Sequence, residues 1–330
     1  MIKFGICTEA EFQTARSRGE LEKRHISCRL LRLNMPASPD EVKRFEEISQ
    51  LLLLPGKIFR TTYRGRFAQV DPVLDQVLGR LFAPSTPLLV YDWGASNCLT
   101  SAEWARTLFA RFSNAQLVAS DICLDLVEAT RGKPGESWIY ESGSGVLLQY
   151  LRGPFVVPYL WQDSPVFLVN RFWRWYGRRA GFSWNNIPPA FLSGSVENTA
   201  VNGWNLTRIP LAHPEARELA LADTRFRMER HSIFDPAARP GHAVRTMNIL
   251  NRQYFDAAQL EQSIAAVWRS LIPGGLWIVG RTTGTTDQGE QKVNQVSFLR
   301  KAAETFELVE RIGPGSEIED LGLSFRAPKE

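Results

Sequence analysis

LLVYDWGASNCLTSAEWA, residues 88–105, decides how the chain is read. Leu88 to Tyr91 form a short apolar strand, Asp92-Trp93-Gly94 turns it, and Thr100 with Glu103 makes a capping box that opens a helix. A glycine at such a turn lets backbone approach a ligand closely, and the helix N-terminus behind it offers N–H groups. The same features describe an ordinary strand-to-helix turn of an α/β protein, because one glycine stands where a dinucleotide fingerprint has three. The blocks downstream of Ala105 decide between the two.

The next block, QLVASDICLDLVEATRG at 116–132, ends a strand on Asp121, 27 residues after Gly94. An acidic side chain there can accept both hydroxyl hydrogen bonds of a ribose, or cap the helix expected at 123–131. VRTMNILNRQYF at 244–255 puts Asn248 and Asn251 near the carboxyl end of another strand, which is where open α/β sheets bind ligands. LIPGGLWIVGR at 271–281 gives a helix end, a Pro-Gly-Gly turn that reverses the chain, and a buried strand. Strand 88–92, helix 101–112, strand 116–120 and helix 123–131 alternate as parallel βαβ units do.

The alternation pauses over 133–222, a stretch rich in Trp, Gly, Pro and Asn, and resumes with FRMERHSIFD, AVRTMNIL, a helix at 257–271 and LWIVGR. The closing segment, FLRKAAETFELVERIG followed by LGLSFRA, is expected to supply a helix and one or two more strands. Upstream, SPDEVKRFEEISQLLLL carries a capping box of Ser38 and Glu41 with Pro39 in the first turn, and a second helix is expected near 71–82. The expected architecture is a Rossmann-like α/β sheet with helices on both faces. Residues 1–83 form a helical cap, 84–330 the sheet domain, and 133–222 an aromatic-rich insertion within it.

Composition bounds the function. With 330 residues, 44% hydrophobic and 22% charged, the chain reads as soluble and globular. A net charge of +4, from 39 basic and 35 acidic residues, makes no strong case for nucleic acid. Cys7, Cys28, Cys98 and Cys123 lack CxxC spacing, and with His25, His213, His231 and His242 they form no paired knuckles, so reduced thiols and no metal are expected. No apolar run approaches the ~20 residues of a membrane helix, and no signal-peptide pattern precedes Glu9 and Glu11, which points to the cytoplasm.

The four blocks resemble class I S-adenosylmethionine-dependent methyltransferases, and within them the chemotaxis receptor methyltransferases. That family's acidic strand end, of the form ATDID followed by a helix and a glycine, is similar to ASDICLDLVEATRG here. Its later block, CRNVLIYF, a helix and LxPGGxLxLG, is similar to TMNILNRQYF through LIPGGLWIVGR. FRTTYRGRF at 59–67 resembles its upstream Thr-aromatic-Arg segment, so the likeness covers roughly 58–131 and 224–282.

The resemblance implies S-adenosyl-L-methionine as cofactor. It implies Asp121 on the ribose with Ile122 beside it, Asn248 and Ile249 on the adenosyl group, Ser232 and Ile233 flanking the adenine, and Glu103 as the acidic contact of the first helix. Asp92 and Gly94 complete the cofactor set at the first turn, with Thr62 from the upstream segment. Arg64, which can place an acidic substrate or the cofactor carboxylate, and Tyr254, matching the Tyr of IYF, are the candidate catalytic residues. Tyr254 stands two residues further from Asn248 than in the family.

The family's Ser-Thr-Gly-Glu-Glu turn is replaced by Ser96-Asn97-Cys98-Leu99-Thr100-Ser101, Met247 stands for the Arg before Asn, and a receptor-tethering β-subdomain is not identifiable. The acceptor is therefore left as a protein carboxylate or a small molecule. A catalytically silent methyltransferase-fold binding module and an NAD(P)-dependent oxidoreductase are the alternatives.

Residues 155–204 hold five of the ten tryptophans, and VNRFWRWYGRRAGFSW sets Arg171, Arg174 and Arg178 on one helical face beside Phe172, Trp175 and Tyr176. Such a helix can pack on a sheet with its arginines in water, close over a substrate, make peripheral membrane contact across 155–184, or stack with nucleobases. The stretch offers no evident general base. Transfer to a carboxylate depends more on alignment and charge neutralisation than on a base.

Overall fold

The computed structural model describes residues 5–55, 58–59, 62–132, 134–160, 168–192, 194, 196–284 and 293–327. The chain divides into two compact units, 62–122 with 215–330 and 1–61 with 123–214. The divisions expected at 83/84, 132/133 and 222/223 thus contrast with breaks at 61/62, 122/123 and 214/215.

In the first unit, Leu89–Trp93 (β1) is buried along its whole length and Gln116–Asp121 (β2) over its middle four residues. Apolar runs without alternation suit parallel strands covered on both faces. Phe226–Arg230 (β3), Gly241–Met247 (β4), Leu271–Thr283 (β5), Val293–Lys301 (β6) and Phe306–Ile312 (β7) complete a sheet of order β3-β2-β1-β4-β5-β6-β7. From β3 to β5 neighbouring strands are parallel; β6 and β7 are antiparallel additions. Because β1 lies between β2 and β4, the order of strand addition reverses beside it, which makes the carboxyl ends of these strands the topological switch point.

Asp71–Leu81 (α1), Leu99–Arg111 (α2), Pro214–Ala222 (α3), Ala257–Ser270 (α4) and Glu319–Ser324 (α5) accompany the sheet. On one face Leu260, Ile264 and Val267 of α4 pack with Leu89, Tyr91, Val244 and Trp277. The fold is a mixed α/β sheet of mostly parallel strands flanked by helices, as the alternation of strand and helix signals predicts.

Four local expectations are corrected. Residues 123–131 form no helix: Asp125–Thr130 is a strand of the other unit, with Leu126, Val127 and Ala129 all buried. The closing segment does hold a helix and strands, but FLRKAAETFELVERIG lies across the antiparallel pair β6 and β7 and the helix is α5, over the first residues of LGLSFRA. Pro273-Gly274-Gly275 lies within β5, beside a register irregularity in the β4–β5 pairing, and does not reverse the chain. Finally, α2 opens on Cys98 in a left-handed conformation without a side-chain cap, so Thr100 and Glu103 form no capping box.

The second unit is built on a six-stranded antiparallel sheet in the order 155–158, 147–152, 136–141, 125–130, 204–210, 198–201. Helix Pro39–Leu51 begins with the expected Ser38–Glu41 capping box, and Glu9–Ser17 with a second, of Thr8 and Glu11. Their Phe12, Phe45 and Ile48 share one core with Leu126, Ile139, Leu148, Leu151 and Ile209, so the N-terminal segment and the middle of the chain fold together. The Leu211 N–H donates to the Leu124 carbonyl at 2.9 Å, which pins the outgoing and returning chain side by side. Among the described residues no helix is long and apolar enough to cross a membrane, and no group of three or more His, Cys, Asp or Glu is placed to hold a metal.

Candidate functional site

Parallel pairing sets Trp93 beside Ser120 and Asp92 beside Arg245, so β1, β2 and β4 end close together. The backbone just past those ends is unusual. Gly94, Ser96, Cys98 and Asn248 all have φ between 57° and 69°. Ser96, Cys98 and Asn248 are three of the four non-glycine residues of this kind among the described residues. Each costs roughly 1–3 kcal/mol and persists only where surroundings enforce it, and such residues concentrate at ligand sites.

Side chains hold these turns. The Ser96 N–H donates to Asp121 Oδ2 at 2.8 Å, which ties the loop after β1 to the end of β2. A Cβ on Gly94 would lie 3.0 Å from Ile249, so the turns after β1 and β4 touch where glycine leaves room. Asn248 clamps β4 to β5: its N–H donates to the Gly280 carbonyl at 2.8 Å and its Oδ1 accepts the Thr282 N–H at 2.7 Å. Ile122, just past Asp121, is 59% exposed. After β3, Ser232 Oγ accepts the Phe234 N–H at 3.3 Å, and Ile233 packs against the core that contains Trp93.

His231, between β3 and that turn, donates its backbone N–H to the Asp121 carbonyl at 3.1 Å, and its ring lies 4.6 Å from that of Trp93. Burial holds its pKa below the ordinary histidine value, against the pull of Glu229 and Asp235. Two buried polar atoms at these strand ends, Ser120 Oγ and His231 Nε2, have no hydrogen-bond partner. The sequence marks neither for the site, since a lone Ser and a lone His in apolar strands give no signal.

Other expected site residues are placed differently. Asp92 is the buried counter-ion of Arg245: Oδ1 accepts from Nε at 2.9 Å, and Oδ2 from Nη2 at 2.6 Å and from Ser101 Oγ at 2.5 Å. Arg245 also reaches Asp71 Oδ1 at 2.8 Å and lies 4.4 Å over the Trp104 ring. Burial alone would lower the Arg245 pKa, but Asp92 and Asp71 outweigh it and hold it above the ordinary value. Two carboxylates around one guanidinium carry surplus negative charge, and burial together with Asp92 pushes Asp71 up to about 7 against the pull of Arg245. Asp92 thus belongs to the scaffold of the sheet.

Glu103 accepts the Gly65 N–H on both oxygens, at 3.0 and 3.2 Å, and so anchors the 62–67 segment in which Thr62 is buried. Arg64 pairs with Glu215 at the start of α3, and Arg106 meets the same carboxylate at 3.0 Å. Hydrogen bonds from Arg64 and then Arg106 hold Glu215 down at about 2 against its partial burial. Tyr254 is 53% exposed, with its N–H on Asn251 Oδ1 at 3.0 Å. The two candidate catalytic residues therefore have separate partners, and no bond joins them among the described contacts.

Arg66, two residues beyond Arg64 and not singled out by the sequence, is bonded to the residue that Asn248 clamps. Its Nε donates to Thr282 Oγ1 at 3.2 Å, Thr282 donates in turn to Asn294 Oδ1 at 3.0 Å, and Asn294 Nδ2 returns to the Arg66 carbonyl at 3.3 Å. This ring of bonds shares Thr282 with Asn248. Burial lowers the Arg66 pKa, partly countered by Tyr63 and Tyr254. FRTTYRGRF contains the residue, but nothing in the spacing distinguishes Arg66 from Arg64.

No protein-family model and no curated protein matches the chain. Among solved structures it is similar to the CMeT domain of the citrinin polyketide synthase (13% identity, 75% of this chain and 41% of that one, TM-score 0.34). It is similar to the sugar N-methyltransferase KedS8 of Streptoalloteichus (11% identity, 78% of each chain, TM-score 0.31). It is also similar to the [4+2]-cyclase SpnF (11% identity, 66% of this chain and 46% of that one, TM-score 0.28). The chain spans less than half the length of the first and third of these. At such similarity neither activity nor acceptor carries over, and function has to be argued from the site.

Proposed function

We propose that the chain is an S-adenosylmethionine-dependent methyltransferase, with the cofactor held across the carboxyl ends of β2, β1 and β4. One observation carries this reading: at the switch point of a parallel sheet, Asp121, the Gly94 turn and Asn248 converge on backbone held in left-handed conformations. The donor set suits the cofactor. A carboxylate at Asp121 accepts from a ribose diol, and the orphaned Ser120 Oγ and His231 Nε2 suit a ligand bearing both donors and acceptors.

When bound, S-adenosylmethionine supplies a sulfonium methyl for in-line displacement. In this reading Asp121 binds the ribose, Ile122 and Ile233 offer apolar surface to the adenine beside Ser232, and Asn248 and Ile249 contact the adenosyl group. Glu103 fixes the 62–67 segment, and Arg64 orients an acceptor or cofactor carboxylate. The acceptor is a protein carboxylate or a small molecule, and the place of action is the cytoplasm. Tyr254, exposed beside the β4 end, is the second candidate to meet the acceptor.

The test is calorimetric titration of the full chain with S-adenosylhomocysteine, NAD and NADP, followed by labelled-methyl transfer to a lysate of the source organism. Binding of S-adenosylhomocysteine together with a labelled product supports the proposal. A nicotinamide preference would replace it with an oxidoreductase, and cofactor binding without transfer would make the chain a silent binding module.

A further inference from the structure

The helix Leu168–Ala180 of the second unit has one face that the proposed function does not use. Its inner face is fixed on the antiparallel sheet. Trp138 Nε1 donates to the Gly177 carbonyl at 2.9 Å, Tyr159 Oη to the Arg174 carbonyl at 2.9 Å, and Arg174 Nε to the Pro158 carbonyl at 3.0 Å. A side chain at Gly177 would collide with Tyr159 Oη at 2.2 Å, while Trp173, Tyr176 and Ala180 pack on the core of Trp138, Tyr150 and Trp204. These contacts set the rotation of the helix.

Its outer face is consequently Arg171, Phe172, Trp175, Arg178 and Arg179, all exposed and spaced i, i+1, i+4, i+7, i+8. Phe172 is 52% and Trp175 56% exposed, with ring centroids 6.1 Å apart. A helix that only covered a sheet would put small or polar residues there. Arginines stand at both ends of the aromatic pair, and no Asp or Glu occurs between Asp163 and Glu197.

We infer that this face docks the protein on the surface of an anionic phospholipid bilayer. Phe172 and Trp175 would enter the boundary between headgroups and acyl chains, where large aromatics are favoured, while Arg171, Arg178 and Arg179 meet lipid phosphates and carboxylates through long stems. From Arg171 to Arg179 the face is about 12 Å long, which suits weak, reversible attachment. Charge complementarity selects the lipid: every charge on the described face is positive, with the apolar pair between them.

Nucleic acid fits less well. Stacking of bases needs open ring faces, whereas the Arg179 guanidinium lies 5.9 Å over Trp175 and Phe172 is stacked on Tyr176 at 6.4 Å. The chain's net charge of +4 also supplies no long basic track.

The test is co-sedimentation of the full chain with vesicles of phosphatidylcholine alone or mixed with phosphatidylserine, with tryptophan emission recorded in parallel. Binding is expected only to the mixed vesicles, weakening with salt. Phe172→Ser with Trp175→Ser should abolish the emission blue shift. Arg178→Glu with Arg179→Glu should weaken binding by about 25-fold or more, at about fivefold for each arginine charge. These four side chains are exposed, and far-UV circular dichroism checks that both double variants keep the fold. Equal binding to both vesicle types, absence of binding, or wild-type binding by the folded variants would each overturn the inference. Displacement of vesicles by single-stranded oligonucleotide that itself requires these residues would reassign the face to nucleic acid.

Discussion

Replacing Asp121 with alanine removes the carboxylate at the end of β2 and separates a binding role from a structural one. In the structure its Oδ2 already accepts one backbone bond, from Ser96 N–H at 2.8 Å. Hydrogen bonds to a charged group contribute about 1.5–3 kcal/mol each, so a ribose diol on this carboxylate would gain at most about 3–6 kcal/mol. Because one oxygen is shared with Ser96, about 2–4 kcal/mol is the better expectation, or about 30- to 1,000-fold in dissociation constant.

The cost to the fold comes through the Ser96 bond and is read separately. Asp121 is only partly buried, and losing this bond to a charged carboxylate costs about 1.5–3 kcal/mol. Calorimetric titration with S-adenosylhomocysteine reads the first quantity and thermal unfolding the second. Asp92→Asn makes the complementary comparison, because it should weaken the fold through Arg245 while changing affinity little. An Asp121→Ala protein that binds within about threefold of wild type, less than 1 kcal/mol, would refute the assignment of this carboxylate to the cofactor.

Three further outcomes are expected. Arg245→Met leaves Asp92 and Asp71 buried without a cation and should lower the opening free energy of β1 and β4 by about 3–5 kcal/mol at pH 8, read as hydrogen exchange of peptides covering those strands; a loss below about 1 kcal/mol would refute a role for the triad in holding the sheet. Asp71, ordinarily near 3.8 and raised to about 7, keeps its proton in the folded state over a range where the unfolded chain releases it. Its contribution to stability therefore falls as pH rises from about 4 to about 7, and Asp71→Asn should flatten the difference between denaturant midpoints at pH 5 and pH 8. Asn248→Gly keeps a backbone that accepts φ of 61° but loses the clamp on Thr282, whereas Asn248→Ala loses both, so alanine should be the less stable by about 1 kcal/mol in urea unfolding; equal stability would mean the left-handed backbone there carries no strain.

β1, β2 and β4 are legible because each is a largely apolar run closed by Gly, Asp or Asn, which also places Asp121 and Asn248 at strand ends. Local pattern failed where distant partners decide. Cys123, Leu126, Val127 and Thr130 satisfy a helical face, yet 125–130 becomes a strand because 204–210 pairs with it and Arg29 and Arg32 neutralise the buried Glu128. The closing helix is displaced similarly, from within 298–313 to α5, since β5 offers an edge to which Val293–Lys301 adds. Asp92 looked like a ligand residue because its partner, Arg245, stands 153 positions away and reads as an ordinary strand residue. Arg66 was hidden by a second arginine two positions before it.

The shared core of the N-terminal segment and the middle of the chain has a consequence for synthesis. Phe12, Phe45 and Ile48 leave the ribosome well before Leu126, Ile139, Leu148 and Ile209, the residues that cover them. At about 5–20 residues per second, the roughly 160 residues between Ile48 and Ile209 take about 8–30 seconds to appear. For that interval the first helices have no finished surface to rest on, and β1 and β2 emerge while they wait. Completion of this core therefore waits for the middle of the chain, and until then its N-terminal apolar residues are a natural place for a chaperone to bind.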